Sequence, residues 1–216
     1  MRIWLDDRPG ALGAVASRIG SVKGDLVGIE ILERGANRAI DELIVEVPSP
    51  ALLELLVREV HEVDGVDVED VREWHHGEHD IRLEPLEITS RMLESSSEAD
   101  LTGVLVTRLS EMFELTYAAV VCVEDDSVVA TAGQVPQSSW LLAFTKGGTL
   151  RSQLEGVTDG STEVMLHGLD FSGWTLIASR EARPFRALER SQVWMLCRIA
   201  GRYGSHLRSL DQLRQL

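Results

Sequence analysis

The stretch best suited to binding chemistry is Asp6–Leu12 (DDRPGAL), which lies between a short apolar run and a helical pattern. Pro9 fixes φ near the value of a first helical residue and lacks the N–H that would be unpaired there. Gly10 has no Cβ, so another molecule can approach the backbone closely. The sequence therefore predicts free backbone amides at a helix N-terminus, which form a natural seat for a carboxylate or a phosphate group.

The candidate ligand-binding residues of this turn are Asp6, Asp7, Gly10, Ala11 and Leu12. The amides of the last three would hold the carboxylate of a ligand, and Asp7 would pair with its ammonium group. Asp6 has the alternative role of capping the helix. The competing hypothesis is a capped strand-to-helix turn that binds nothing.

A second group of reactive side chains, His75, His76 and His79 with two neighbouring carboxylates, lies in Trp74–Asp80 (WHHGEHD). Imidazoles and carboxylates are suitable ligands for zinc or nickel. All of them belong to one short segment without rigid spacing, which favours a solvated linker between domains over a metal site. We therefore predict no bound metal.

Catalytic motifs are absent from the sequence: there is no Gly-x-Ser-x-Gly, no Cys-x-x-Cys and no Gly-x-x-x-x-Gly-Lys. Cys122 and Cys197 lie in apolar stretches, which is typical of small buried side chains in a reducing compartment. We expect a protein that is not an enzyme and has no catalytic residues and no cofactor.

Composition limits the class of partner. The 216 residues are 44% hydrophobic and 26% charged, as in globular proteins, and the formal net charge is −14. Such an acidic chain is unsuited to nucleic acid or anionic membranes, which attract basic patches. No apolar run approaches the ~20 residues that span a bilayer, and no signal peptide is recognisable. We expect a cytoplasmic protein without nucleic-acid or membrane partners.

Hydrophobic periodicity in the first seventy residues gives the order βαββαβ. This order is typical of a ferredoxin-like fold, a four-stranded antiparallel sheet with two helices on one face. The predicted elements are a strand over Ile3–Leu5, a helix over Ala11–Lys23, a hairpin of Leu26–Leu32 and Ala39–Val47, a helix from Pro50 to Val63, and a strand over Val66–Val71.

This order, with Asp-Arg-Pro-Gly-Ala-Leu at the first strand–helix turn, resembles the ACT domain, a regulatory amino-acid-binding module, over residues 1–74. In that family a polar residue before Arg-Pro-Gly often holds polar groups of the ligand, and here that residue is Asp7. Some members carry a histidine two residues earlier, where this chain has Leu5, which suggests a ligand with an apolar or small side chain. The resemblance also implies a ligand bound between paired domains and hence a homodimer.

A linker over 75–84 leads to a second α+β domain over 85–216. Its predicted elements are helices, a strand hairpin, inserted helices, a second strand pair and Arg183-Pro184-Phe185 before a long C-terminal helix. This order resembles the GAF domain, a sensory and dimerising module. In GAF domains a pocket lies between the sheet and the inserted helices, where Trp140, Phe144 and Trp174 would lie. We favour plain core packing over a ligand pocket for these aromatic residues.

Three functional hypotheses follow. The first is a regulatory sensor in which a small amino acid binds the ACT-like domain and the GAF-like domain relays the signal or dimerises. The second is an interaction protein that only assembles oligomers, and the third is a metal-dependent enzyme using His75–His79. The spacing of apolar residues in the C-terminal helix predicts a homodimer contact that includes Leu207 and Leu210.

Overall fold

The structure is a computed structural model that describes residues 1–73, 83–151, 158–159, 162–169, 173–181 and 183–214. Its contacts divide the chain into two compact units. The N-terminal unit is Met1–Gly77 with Arg186–Leu188, and the C-terminal unit is Glu78–Phe185 with Glu189–Leu216.

The N-terminal unit has a four-stranded antiparallel sheet in the strand order β2-β3-β1-β4, with two α-helices packed on one face. This is the βαββαβ order that the sequence predicted. The elements are β1 (Arg2–Asp6), α1 (Ala11–Ser21), β2 (Asp25–Gly35), β3 (Arg38–Glu46), a 3-10 turn (Pro50–Leu52), α2 (Leu53–His61) and β4 (Asp67–Asp70).

Helix α1 packs on the sheet through residues four apart. Ala11, Val15 and Ile19 are buried, and they share one core with Ile3 and Leu5 of β1. This spacing places their side chains on one face of the helix, so the periodicity of the sequence fixes which face is covered.

The helix ends at Ser21 rather than at the predicted Lys23. Lys23 takes a positive φ of 62°, which interrupts the helix, and the amide of Gly24 donates to the carbonyl of Ile19. Such a bond satisfies a free carbonyl at the helix end.

The β2–β3 hairpin turns at Ala36 and Asn37, both with positive φ (50° and 64°). Two such residues make the tight turn that suits the right-handed twist of paired strands. Strand β2 is an edge strand, and three of its large side chains, Val27, Ile29 and Ile31, are each more than 40% exposed.

The C-terminal unit has a five-stranded antiparallel sheet in the order β6-β5-β9-β8-β7. The element order agrees with that predicted for a GAF-like domain. The elements are α3 (Glu84–Leu93), α4 (Glu98–Phe113), β5 (Tyr117–Cys122), β6 (Ser127–Gly133), α5 (Ser138–Arg151), β7 (Thr158–Asp159), β8 (Thr162–Leu169), β9 (Trp174–Glu181) and α6 (Ala187–Arg214).

Side chains of α6 pack into the core of this unit. Leu207 is only 6% exposed and belongs to this core, whereas Leu210 is 36% exposed. The prediction that Leu207 contacts a second copy is therefore wrong, because its apolar surface is already covered within the chain. Cys122 and Cys197 are both buried and neither forms a disulfide, as predicted.

The aromatic residues of α5 do not form the expected core. Trp140 is 43% exposed and stacks on Phe144 with the ring centroids 4.9 Å apart. The expectation of plain core packing is wrong for Trp140, since stacking within one helix leaves nearly half of its surface in solvent.

A buried ion pair holds the segment that precedes α6. The guanidinium of Arg180 donates two 2.9 Å hydrogen bonds to the carboxylate of Glu189 and also donates to the carbonyls of Arg183 and Pro184. Both charged side chains are at least 94% buried, so each compensates the other inside the fold.

Among the described residues, no helix has both the length and the apolar character needed to cross a membrane. The same residues contain no group of three or more His, Cys, Asp or Glu side chains that could hold a metal ion.

Candidate functional site

The β1–α1 turn is anchored to the neighbouring hairpin. The amide of Asp7 donates to the carbonyl of Asn37 over 2.8 Å, and the amide of Arg8 donates to the carbonyl of Asp6 over 2.8 Å. The conformation of the turn is therefore set by β1 on one side and by the β2–β3 turn on the other.

Gly10 holds the N-cap position of α1 with φ +89°, a left-handed conformation that favours glycine. A Cβ at this position would meet no atom within 4 Å. The backbone thus requires glycine for its conformation, and the space beside Gly10 is open to another molecule.

The first turn of α1 has amides that no other group of the described residues uses. No side chain caps the helix, and the amides of Ala11 and Ala14 donate to the carbonyls of Arg8 and Gly10. None of the hydrogen bonds among the described residues uses the amides of Leu12 or Gly13. Two donors therefore remain at the positive end of the helix.

Neither aspartate of the turn caps the helix, so that part of the prediction is wrong. Gly10 holds the cap position, and Asp6 is the last residue of β1. The Asp6 carboxylate lies 3.5 Å from Nε of Arg8 and packs on Gly65, where any Cβ would overlap it. Asp6 thus contacts the turn before β4, and the exposed Asp7 is the acidic residue left at the mouth of the turn.

The structure adds a residue that the sequence prediction missed, Asp41 on β3. It is in register with Ile3 and Ile31, which places it on the sheet face that the helices cover. Asp41 is only 3% exposed, and its Oδ1 has no hydrogen-bond partner among the described residues. A carboxylate oxygen buried without a hydrogen-bond partner is costly, which disfavours the ionised form of this side chain.

Burial raises the pKa of the Asp41 carboxyl above its ordinary value. The positive charge of Arg34 lowers this pKa in part, and the negative charge of Asp7 raises it. Asp41 is in register with Ile3, four residues before Asp7 along the chain, so it lies away from the turn. The turn amides and the exposed carboxylate of Asp7 present positive and negative groups at one turn, which suits a zwitterionic ligand.

The histidines of the predicted linker, His75, His76 and His79, lie outside the described residues.

No family model and no curated protein matches the chain. Solved structures that are similar to it include the GAF domain of a phosphoenolpyruvate-protein phosphotransferase from Acinetobacter (TM-score 0.45, 11% identity, 61% of this chain and 96% of that chain). Free methionine-R-sulfoxide reductase from Neisseria meningitidis has a TM-score of 0.45 and 15% identity over 65% of this chain and 99% of that chain. A bacteriophytochrome from R. palustris has a TM-score of 0.48 and 11% identity over 88% of this chain and 44% of that chain.

Proposed function

We propose that the chain is a regulatory sensor without catalytic activity or cofactor. Its N-terminal unit, an ACT-like domain with ferredoxin-like element order, binds a free amino acid at the β1–α1 turn. Its GAF-like C-terminal unit relays the signal or dimerises. The observation that carries the proposal is the uncapped start of α1, with open space at Gly10 and the exposed carboxylate of Asp7 in the same turn.

The carboxylate of the amino acid would accept hydrogen bonds from the amides of Leu12 and Gly13, where the helix dipole is positive. Its α-ammonium group would pair with Asp7 at the mouth of the turn. Because Asp6 also lies at this turn, some repulsion of the ligand's carboxylate reduces the affinity.

A homodimer is part of the proposal. Val27, Ile29 and Ile31 expose apolar surface on β2, whose outer edge has no neighbouring strand in the sheet. An exposed apolar edge strand is a template for pairing with another chain. A second copy would cover this edge, which belongs to the hairpin whose Asn37 carbonyl accepts a hydrogen bond from the amide of Asp7.

The test is a thermal-shift screen of the full chain against the twenty amino acids. At a hundredfold excess over Kd, binding to the folded state adds about 2.7 kcal/mol. For a domain of this size that raises the Tm of the N-terminal unit by roughly 10–20 °C. Asp7→Asn should reduce the shift, whereas Asp25→Asn, the same change at an exposed position in β2, should not.

The second candidate function is ligand-free oligomerisation, which the exposed edge of β2 favours. It predicts that no amino acid moves the transition, while Ile29→Lys with Ile31→Lys halves the sedimentation mass. The control is Leu53→Lys, at a position of α2 that is 41% exposed. A ligand-induced shift in the wild type would reject this alternative.

A further inference from the structure

We infer that helix α3 of the C-terminal unit pairs antiparallel with α3 of a second copy of the chain. Three exposed leucines form the contact, and Arg91 of each copy lies opposite Glu84 and Glu87 of the other. The inference rests on the part of the proposed function in which the GAF-like unit dimerises, and it names the surface. It does not depend on amino-acid binding at the β1–α1 turn.

The first argument is the exposed apolar side of α3. Leu86 and Leu93 are 65% and 52% exposed, and Leu83 at the N-cap position is 48% exposed. With the exposed Ser90 they recur at spacings of three, four and three residues, which places all four on one side of the helix. A surface helix normally has polar side chains on that side, so this one is suited to contact with another helix.

The opposite side of α3 is already packed. Ile88 and Met92 are at most 4% exposed and belong to the core of the C-terminal unit. A rotation of α3 that buried the leucines would expose these two core residues instead. Covering the leucines therefore requires a surface that the described residues of this chain do not supply.

The second argument is the order of charges along α3. Glu84 and Glu87 lie in its first turn, and Arg91 lies in its last turn. All three line an open groove between α3 and α4, so their charged ends reach the surface. In an antiparallel pair the first turn of one helix lies against the last turn of the other, so opposite charges meet at two symmetric places. A parallel pair brings the two acidic turns together, which is unfavourable.

This arrangement identifies a second copy as the partner. A two-fold contact joins a patch to the same patch, so the patch must be complementary to itself. In an antiparallel pair with this spacing, Leu83 packs against Leu93 of the other copy and Leu86 against Ser90 of the other copy. The apolar layers and the opposite charges thus align in one register.

The contact is small, because each copy contributes one helix of ten residues. A standard interface covers about 800 Å² per partner, which three half-exposed leucines do not provide. Association through α3 is therefore weak and is measured at high protein concentration.

The test is sedimentation equilibrium over a range of concentrations. The parent is the full chain with Ile29→Lys and Ile31→Lys, so that the edge of β2 does not contribute. Arg91→Glu and Glu87→Arg, each added alone, should weaken self-association about tenfold, because a favourable pair becomes repulsive at two places. An equimolar mixture of the two variants should associate as tightly as the parent, within about threefold, because an acidic helix then meets a basic one.

Two further variants complete the design. Arg58→Glu makes the same change of charge at an exposed position of α2 and should leave association unchanged. Leu86→Lys should abolish association without lowering the Tm in calorimetry, because this side chain is 65% exposed and lies outside the core.

The outcomes separate this inference from the rest of the proposed function. If the parent associates and the charge variants do not weaken it, or the mixture does not restore it, the α3 pair is wrong while the sensor proposal stands. If the parent is monomeric at every concentration, the inference is wrong and dimerisation of the GAF-like unit fails with it. Amino-acid binding is then still decided by the thermal-shift screen.

Discussion

The exchange of Asp41 for asparagine should stabilise the free protein at pH 7. Asp41 is 3% exposed and its Oδ1 has no partner among the described residues, so its ionised form opposes folding. Asparagine has nearly the same shape and carries no charge. A stabilising substitution at a buried position is unusual, because most core substitutions lower the free energy of unfolding.

The raised pKa of Asp41 gives the sign of the effect, because the unfolded chain ionises this carboxyl more readily than the folded chain does. A gain of about 1 kcal/mol on removing the charge raises the Tm of a 60–100-residue domain by roughly 4–8 °C. The matched variant Asp25→Asn, at an exposed position, should change stability by no more than about 0.5 kcal/mol.

The pH dependence of the free energy of unfolding tests independently whether the Asp41 charge opposes folding. At pH 3.5 and below the Asp41 carboxyl is largely protonated in both the folded and the unfolded chain, so it makes little difference to stability. As the pH rises, the unfolded chain loses this proton first, and the free energy of unfolding of the wild type falls relative to Asp41→Asn. The groups that act on Asp41 are Arg34 of β2 and Asp7 of the turn.

Differential scanning calorimetry of the full chain at pH 3.5, 5 and 7 measures this difference directly. We expect the Tm advantage of Asp41→Asn to be absent at the lowest pH and largest at pH 7. A lower Tm of the variant at pH 7 would refute the reasoning, since it would mean that the Asp41 carboxylate stabilises the free fold.

Three further predictions concern other parts of the chain. Gly65→Ala should lower the free energy of unfolding by about 1–2 kcal/mol in urea denaturation, because φ is +78° there and the new Cβ would overlap the Asp6 carboxylate. An unchanged denaturation midpoint would show that the Asp6 side chain moves aside without cost. Glu189→Gln should destabilise the C-terminal unit by about 3–5 kcal/mol, because it leaves the buried Arg180 guanidinium without its carboxylate partner. A fall of less than about 1 kcal/mol in the free energy of unfolding, measured by calorimetry, would contradict this. A chelator should leave the Tm unchanged if Trp74–Asp80 is a linker without metal, and a drop of several degrees would favour a metal site.

The order of elements in both units could be predicted because it depends on local patterns. The spacing of Ala11, Val15 and Ile19 identifies one helix face. Ser97, a preferred N-cap residue, caps α4 by accepting a 3.1 Å hydrogen bond from the amide of Asp100. These signals lie within a few residues of one another, so no knowledge of tertiary contacts is needed.

The candidate site was only partly predictable because its key features are tertiary. The cap prediction for α1 failed because Gly10, in a left-handed conformation, places the two aspartates upstream of the helix. Asp41 was missed although it has the same phase in β3 as Leu43, a spacing that indicates a core position. Sequence alternation places Asp41 on the covered face. Whether its carboxylate has a hydrogen-bond partner there depends on the neighbouring elements.

The phase of one β3 residue shows the same limit. Ile40 is as apolar as Leu43, but it is in register with Trp4 and lies on the opposite face. Both faces of this part of β3 bury apolar side chains, so hydrophobicity alone does not distinguish them.

The central claim is that the free amides at the start of α1 bind the carboxylate of an amino acid. Backbone amide NMR of the isotope-labelled full chain, titrated with the amino acid that gives the largest thermal shift, reads these donors individually. We expect the signals of Leu12 and Gly13 to move and to saturate as the ligand is added, while the amide of Val66 stays in place. Saturable binding that shifts other amides and leaves Leu12 and Gly13 unmoved would contradict the account.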